Sequence, residues 1–172
     1  MPELIVALDL NNEKRALELA GELRQKIKWF KVGLELFVAA GPAVVLKLAE
    51  MGCRVFLDLK IYDIPNTAAA AAAQARLPGV GLFTIHLQGG ERMCLAVRQA
   101  LAGSGILCAG VTALTSFNQG EMPGILQPPA EYGLFLARQA HAWGLDAIVC
   151  AAGEAAKIRQ PGLKLICPGI RP

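Results

Sequence analysis

Residues 54–67, with the sequence RVFLDLKIYDIPNT, join a strongly apolar run to the charged side chains Asp58, Lys60 and Asp63. In a regular strand, residues two apart share a face, so Asp58 and Lys60 are predicted to point the same way as Phe56. In barrel enzymes the catalytic residues lie at the carboxyl ends of the strands, which is where these charged groups are predicted to be. For one Asp–Lys pair alone, an ordinary salt bridge at a strand end is the alternative interpretation.

Two further charged residues change that balance. Asp9 ends the first predicted strand, and Lys31 lies on the second, in the sequence WFKVG. If the strands form a barrel, their ends converge, and these two residues are predicted to meet Asp58, Lys60 and Asp63 above one core. Several charges of both signs beside apolar strands are costly unless they pair or have a function. We therefore predict a functional site here.

The elements that must position these residues alternate between strand-like and helix-like patterns along the whole chain. Repeated β-then-α units with short turns predict a parallel sheet with right-handed crossovers. We predict an α/β fold, a TIM-type (β/α) barrel with about seven of its eight strands, as a single domain over residues 1–172. An open doubly wound sheet is the alternative, disfavoured because no Gly-x-Gly-x-x-Gly pattern follows the first strand. The predicted strands are residues 4–8, 29–33, 54–60, 80–87, 106–112, 147–151 and 163–167.

Composition excludes several other classes of protein. Hydrophobic residues make up 54% and charged residues 18%, which excludes a disordered chain. The formal charge of +3 is spread along the sequence, so nucleic acid is not the expected partner, and no apolar run is long enough to cross a membrane. The five cysteines have no zinc-type spacing and there are only two histidines, so no metal site is expected. An odd number of cysteines suggests a reducing, cytoplasmic location.

Residues 58–67, DLKIYDIPNT, resemble the signature of orotidine monophosphate decarboxylases. Similar stretches follow the family order: VALDL at 6–10, WFKVGLELF at 29–37, VTALTS at 111–116 and PGIRP at 168–172. The resemblance implies removal of the C6 carboxylate of orotidine monophosphate to give uridine monophosphate, the last step of de novo pyrimidine nucleotide synthesis, without metal or organic cofactor.

The resemblance also assigns roles to single residues. Lys60 is the implied proton donor to C6, and Asp58 and Asp63 keep it charged and aimed. Lys31 completes a catalytic array of alternating charges and contacts the ribose, while Asp9 holds sugar hydroxyls. The implied substrate-binding residues are Asp9, Lys31, Asp58, Leu59, Lys60, Ile61, Tyr62, Asp63, Ile64, Pro65, Asn66, Thr67, Thr115 for the pyrimidine ring and Arg171 for the phosphate.

The family pattern further implies a homodimer with shared sites, because the residues that match Asp63 and Thr67 reach into the partner's site. The loop that follows Thr115 resembles the family's lid, with a plain long connection as the alternative. His86, at the end of the fourth strand, is predicted to be a structural histidine whose polar atoms are satisfied.

The chain departs from the family where the family continues after the position of Arg171. The glutamine of the phosphate loop and an eighth strand ending in Gly-Arg are absent, so we interpret the chain as a truncated or partial barrel. Tyr62 also stands where many relatives have histidine. Two other functions stay open: a related phosphate-barrel lyase, such as a magnesium-dependent keto-gulonate phosphate decarboxylase, and an inactive truncated chain.

Overall fold

The structure, a computed structural model, describes residues 2–114 and 117–170. Seven parallel strands form one sheet whose spatial order follows the chain order, with each strand hydrogen-bonded to the next. All seven predicted strands are confirmed, to within one or two residues at each end. They are β1 (Ile5–Ala7), β2 (Trp29–Gly33), β3 (Arg54–Ile61), β4 (Val80–His86), β5 (Leu107–Val111), β6 (Ala147–Val149) and β7 (Lys164–Ile166).

Helices connect the strands, and local sequence explains where two of them begin. The side chain of Asn12 accepts a hydrogen bond from the backbone N–H of Arg15 at 3.0 Å and so caps the first helix. Pro65 occupies the first turn of the fourth, where its missing N–H costs nothing. The helices are α1 (Glu13–Leu23), α2 (Leu34–Ala40), α3 (Ala43–Glu50), α4 (Pro65–Gln74), α5 (Gly90–Leu101), α6 (Pro129–Ala142) and α7 (Ala155–Ile158), with 3-10 turns at Leu87–Gly89 and Ala152–Glu154.

The two faces of the sheet bury different sets of side chains. The outer face carries the larger core, in which Phe30, Leu57 and Phe83 pack under the helices. The inner face carries a smaller cluster to which all seven strands contribute, so the sheet curls around it as a barrel wall does. That cluster consists of Ile5, Trp29, Phe56, Leu82, Leu107, Ala109, Ala147, Val149 and Ile166.

The run of six alanines at residues 68–73 lies on α4, and alanine is a strong helix former. Ala68 and Ala72 are fully buried, and α4 packs against α5. Methyl side chains allow two helices to approach closely, so this part of the sequence serves packing.

Across residues 2–114 and 117–170, no helix combines the length and the apolar character that crossing a bilayer requires.

Two glycines at the amino-end side of the sheet have nearly the same backbone φ but different surroundings. Their substitution therefore allows the cost of backbone strain to be compared with the cost of a steric clash. Gly52 and Gly79 have φ of 78° and 80°, a region that side chains disfavour. A Cβ on Gly79 would lie 2.6 Å from the Cβ of Ala49, whereas one on Gly52 would meet no atom within 4 Å among the described residues. We expect Gly52→Ala to lower the free energy of unfolding by about 1–2 kcal/mol. We expect Gly79→Ala to cost roughly 2–5 kcal/mol, because overpacking adds to the same strain.

Urea denaturation of both variants beside the unmodified chain measures the difference. Equal losses at the two positions would contradict the close approach of Gly79 to α3.

Candidate active site

Four charged side chains meet at the carboxyl ends of β1, β2 and β3. The Nζ atom of Lys31 lies 2.7 Å from Oδ1 of Asp9 and 3.7 Å from Oδ2 of Asp58. The Nζ atom of Lys60 lies 2.8 Å from the same Oδ2 of Asp58. These contacts form a chain in the order Asp9, Lys31, Asp58 and Lys60, which we call the charged array. The predicted convergence of these four residues is confirmed.

Asp58 is the most deeply buried member of the charged array. Its side chain is 8% exposed, against 19% for Lys31, 32% for Lys60 and 59% for Asp9. A buried carboxylate needs compensating charge and hydrogen bonds. Both lysines face one oxygen of Asp58, and the other oxygen accepts a hydrogen bond from the hydroxyl of Thr84 at 2.9 Å.

Asp63 was predicted to join these four residues, and in this chain it does not. Its side chain is exposed, and its Oδ1 accepts a hydrogen bond from the backbone N–H of Ile64 at 2.7 Å. Among the described residues no lysine or arginine lies within 4 Å of its carboxylate. The physical reason is position: Asp63 follows the end of β3, where the turn into α4 carries the chain outward.

The backbone of β3 is irregular at Lys60. Leu57 pairs with Phe83 and Ile61 pairs with Ile85, so β3 uses four steps where β4 uses two. Lys60 has a φ of 49°, the one positive value of a non-glycine residue in the described part of the chain. Lys60 therefore does not follow the simple alternation of side chains between the two faces of the sheet that was predicted from Phe56. Its ammonium group nevertheless contacts Asp58. Strained backbone of this kind is commonly found at functional sites.

Gly33, at the end of β2, leaves room for the ion pair beside it. A Cβ added there would lie 3.1 Å from both Oδ1 of Asp9 and Nζ of Lys31. That distance is tighter than ordinary van der Waals contact, so a side chain at this position would require the pair to shift by a few tenths of an ångström. Neither Gly33 nor Thr84 was among the predicted site residues. A lone threonine within the apolar strand VGLFTIH was the available signal for the second.

The other predicted substrate-binding residues are spread over different surroundings. Leu59 and Ile61 pack against the outer core, so their substrate contacts stay a prediction without support from packing. Tyr62 and Ile64 are 63% and 67% exposed. Pro65, Asn66 and Thr67 form the first turn of α4. Thr115 and Arg171, predicted for the pyrimidine ring and the phosphate, lie outside the described residues, as does the first part of the predicted lid.

His86 lies on the inner face at the end of β4, paired in register with Val111. Its ring centroid is 6.1 Å from that of Tyr62, and its Nδ1 is buried without a hydrogen-bond partner in the described structure. The prediction that its polar atoms are satisfied is therefore wrong for Nδ1. Burial lowers the pKa of His86 below its usual value of 6.5, the positive charge of Lys60 lowers it further, and Asp58 opposes the shift.

A depressed histidine pKa makes the stability of the fold sensitive to mild acid. Below about pH 6.5 the unfolded chain takes up a proton that folded His86 refuses, so this residue's contribution to stability is lost as the pH falls from that value towards the folded pKa. We expect the melting temperature to fall less between about pH 7.5 and about pH 5.5 in His86→Gln than in the unmodified chain. His141→Gln, an exposed change on α6, is the control and should follow the unmodified chain. Equal pH slopes for all three proteins would contradict the buried, neutral state of His86.

Comparisons with known proteins give matches over nearly the whole chain. Residues 2–172 match the family model described as the Orotidine 5'-phosphate decarboxylase / HUMPS family. The chain is 48% identical to the Orotidine 5'-phosphate decarboxylase of Nitratidesulfovibrio vulgaris strain DP4, over 100% of its own length and 77% of that protein. It is 45% identical to the protein of the same name in Nitrosomonas europaea, over 99% of its own length and 76% of the relative's.

Solved structures give the same result for the fold. The chain is similar to the crystal structure of Orotidine 5'-phosphate decarboxylase from Lactobacillus acidophilus, with a TM-score of 0.91 and 34% identity over 99% of this chain and 82% of that one. It is also similar to the Methanocaldococcus jannaschii orotidine 5'-monophosphate decarboxylase complexed with the inhibitor BMP. That TM-score is 0.85, at 25% identity, covering 99% of this chain and 79% of that one. The predicted fold class, a TIM-type barrel represented by seven strands, is confirmed. The chain belongs to the orotidine 5'-phosphate decarboxylase / HUMPS family.

Proposed function

We propose that this chain catalyses the decarboxylation of orotidine 5'-monophosphate to uridine 5'-monophosphate and carbon dioxide. The observation that carries the proposal is the charged array, in which the Lys60 ammonium group is held 2.8 Å from the buried Asp58 carboxylate. Relatives that carry the decarboxylase name at up to 48% identity support the same reaction.

The chemistry of the substrate explains why an ammonium group is needed at this place. Loss of carbon dioxide from C6 leaves an electron pair in the plane of the pyrimidine ring, where the π system cannot delocalise it. A fixed positive charge beside C6 stabilises that developing carbanion and then supplies the proton that completes the product. Lys60 can do both without a metal or an organic cofactor, because its strained backbone and its contact with Asp58 hold the ammonium group in one position.

The rest of the charged array suits the other parts of the nucleotide. Asp58 would lie beside the substrate carboxylate, and departure of carbon dioxide would relieve their repulsion. Lys31 and the more exposed Asp9 would bind the ribose hydroxyls. Arg171 is proposed for the phosphate and Thr115 for the pyrimidine ring. Binding of the distant phosphate can lower the barrier at the ring, because its binding energy orients the substrate against the charged array.

A metal-dependent sugar-phosphate decarboxylase from the same family was the alternative, and no observation favours it. The two functions differ in their need for magnesium, so the assay below includes a chelator.

We also propose a reducing, cytoplasmic location. All five cysteines carry free thiols, and burial raises the pKa of Cys94 to about 12, which keeps that thiol protonated and unreactive.

We further propose that two copies of the chain share their active sites. Asp63 is exposed and makes no ion pair in the described part of its own chain, and two exposed apolar side chains, Tyr62 and Ile64, flank it. A charged group beside exposed apolar surface at the rim of the charged array suits contact with a second copy. There Asp63 would complete the partner's site.

The test of the reaction follows orotidine monophosphate by its ultraviolet absorbance in the presence of chelator. We expect turnover by the unmodified chain and a loss of at least about 10³-fold in Lys60→Ala, because both the electrostatic stabilisation and the proton are removed. Lys47→Ala is the control. It breaks a peripheral ion pair with Glu13 at 2.9 Å and should leave the rate unchanged.

Two results would overturn the assignment. Retention of most activity in Lys60→Ala would remove Lys60 from its role. Absence of turnover both in the chain alone and in a fusion to the C-terminal quarter of the Nitratidesulfovibrio vulgaris relative would reject the reaction.

The shared site is tested by mixing two inactive variants. In a dimer of Lys60→Ala with Asp63→Asn, one of the two sites has its own Lys60 and a native Asp63 from the partner. Equal mixing with free exchange should therefore restore about a quarter of the sites. The control mixes Lys60→Ala with Asp58→Asn. Both residues belong to one chain's array, so this mixture should restore none.

Equal activity in the two mixtures would contradict sharing of Asp63. A single-copy mass in solution, with Asp63→Asn as active as the unmodified chain, would contradict the dimer proposal as a whole.

A further inference from the structure

We propose that Thr84 is a positioning residue for the decarboxylation, acting on Lys60 and Asp58 through a single hydroxyl group. This inference rests on the proposed function and extends it to a residue of β4, a strand that contributes no charge to the array. Thr84 is fully buried, one of only three buried polar or charged residues in the described structure. In an apolar strand such a residue needs a reason, since an unpaired buried hydroxyl is destabilising.

The hydroxyl of Thr84 makes two hydrogen bonds, both to the catalytic pair. It accepts one from the backbone N–H of Lys60 at 2.9 Å and donates one to Oδ1 of Asp58 at 2.9 Å. A hydroxyl has one proton to give, and a carboxylate can only accept, so the direction of both bonds is fixed. One oxygen of Asp58 therefore accepts the hydrogen bond of Thr84, and the other oxygen faces the ammonium groups of the two lysines.

The irregular path of β3 explains why Lys60 needs this partner. Lys60 lies between Leu57 and Ile61, where the pairing of β3 with β4 shifts. Its backbone N–H therefore does not take part in the regular pattern of hydrogen bonds between the two strands. A left-handed conformation is unfavourable for a residue with a side chain and persists only where surrounding contacts enforce it. The hydrogen bond to Thr84 is such a contact, and it replaces the backbone partner that the shift in register removed.

The contacts close into a ring. From Thr84 it passes to the carboxylate of Asp58, then to the ammonium group of Lys60 at 2.8 Å, and returns through the backbone N–H of Lys60. Both ends of Lys60 are thereby tied to the same carboxylate, one directly and one through Thr84. Removal of the hydroxyl opens the ring at its buried side and lets the ammonium group drift from its place.

The position of Thr84 in the sheet also suits a threonine. It lies on the inner face of β4 between Leu82 and His86, in register with Ala109 on β5. Its hydroxyl points to β3, and the small neighbour leaves room for its methyl group. Valine would keep the shape and the strand preference while removing the hydroxyl, and serine would keep the hydroxyl while removing the methyl group.

The experiment compares Thr84→Val with Thr84→Ser by steady-state kinetics on orotidine monophosphate. We expect Thr84→Val to lower kcat by about 10- to 100-fold with KM within about 3-fold, because a misplaced ammonium group affects the reacting carbon more than substrate binding. Thr84→Ser should stay within about 3-fold of the unmodified chain. Amide hydrogen exchange at Lys60 should speed up in Thr84→Val and remain slow in Thr84→Ser.

Thr112→Val is the matched control. Thr112 is also buried, and its hydroxyl bonds the backbone carbonyl of Val149 at 3.1 Å rather than any charged group of the array. Its replacement should cost comparable stability while leaving kcat unchanged.

Three outcomes would overturn the role of Thr84: unchanged kcat in Thr84→Val, failure of serine to restore it, or an equal loss in Thr112→Val. Failure of the proposed function looks different, since then the unmodified chain and Thr112→Val would also lack turnover. In that case the proposed catalytic role of Thr84 is rejected as well. Amide hydrogen exchange at Lys60 then decides whether the hydroxyl of Thr84 holds the backbone of Lys60.

Discussion

The buried carboxylate of Asp58 is the group around which the site is arranged. At 8% exposure it would be costly as an isolated charge, and it is compensated by two ammonium groups and one hydroxyl. Each of these partners comes from a different strand of the barrel: Lys31 from β2, Lys60 from β3 itself and Thr84 from β4. The carboxylate therefore ties three neighbouring strands together at the end where we propose that the chemistry takes place.

The parallel arrangement of the strands makes that convergence possible. All seven strands point the same way, so their carboxyl ends meet at one rim, and inner-face side chains from separate parts of the sequence come within contact distance. The apolar cluster of the inner face includes Phe56 and Leu82, which precede Asp58 and Thr84 by two residues on their strands. On the inner face, the charged side chains thus lie at the carboxyl ends of the strands, and the apolar side chains lie below them.

The site also contains features that stability alone would not favour. Lys60 adopts a left-handed backbone, His86 has a buried nitrogen without a partner in the described structure, and Gly33 gives up a side chain to make room for an ion pair. All three lie at the carboxyl end of the strands, whereas the outer face beneath the helices packs an apolar core. This distribution matches a scaffold whose stability comes from the outer core and whose rim is shaped for catalysis.

The sequence by itself determined the seven strands, the parallel α/β class and four members of the charged array. It could do so because strand and helix patterns are local, and because a charge at the end of an apolar strand is visible in the sequence. The signature at residues 58–67 also indicated the family. Only the tertiary structure decided that Asp63 lies apart from the array, that Leu59 and Ile61 face the outer core, and that Thr84 and Gly33 belong to the site. Those outcomes depend on a shift in register between β3 and β4 and on distances across strands, which arise from packing of distant segments and which no local pattern encodes.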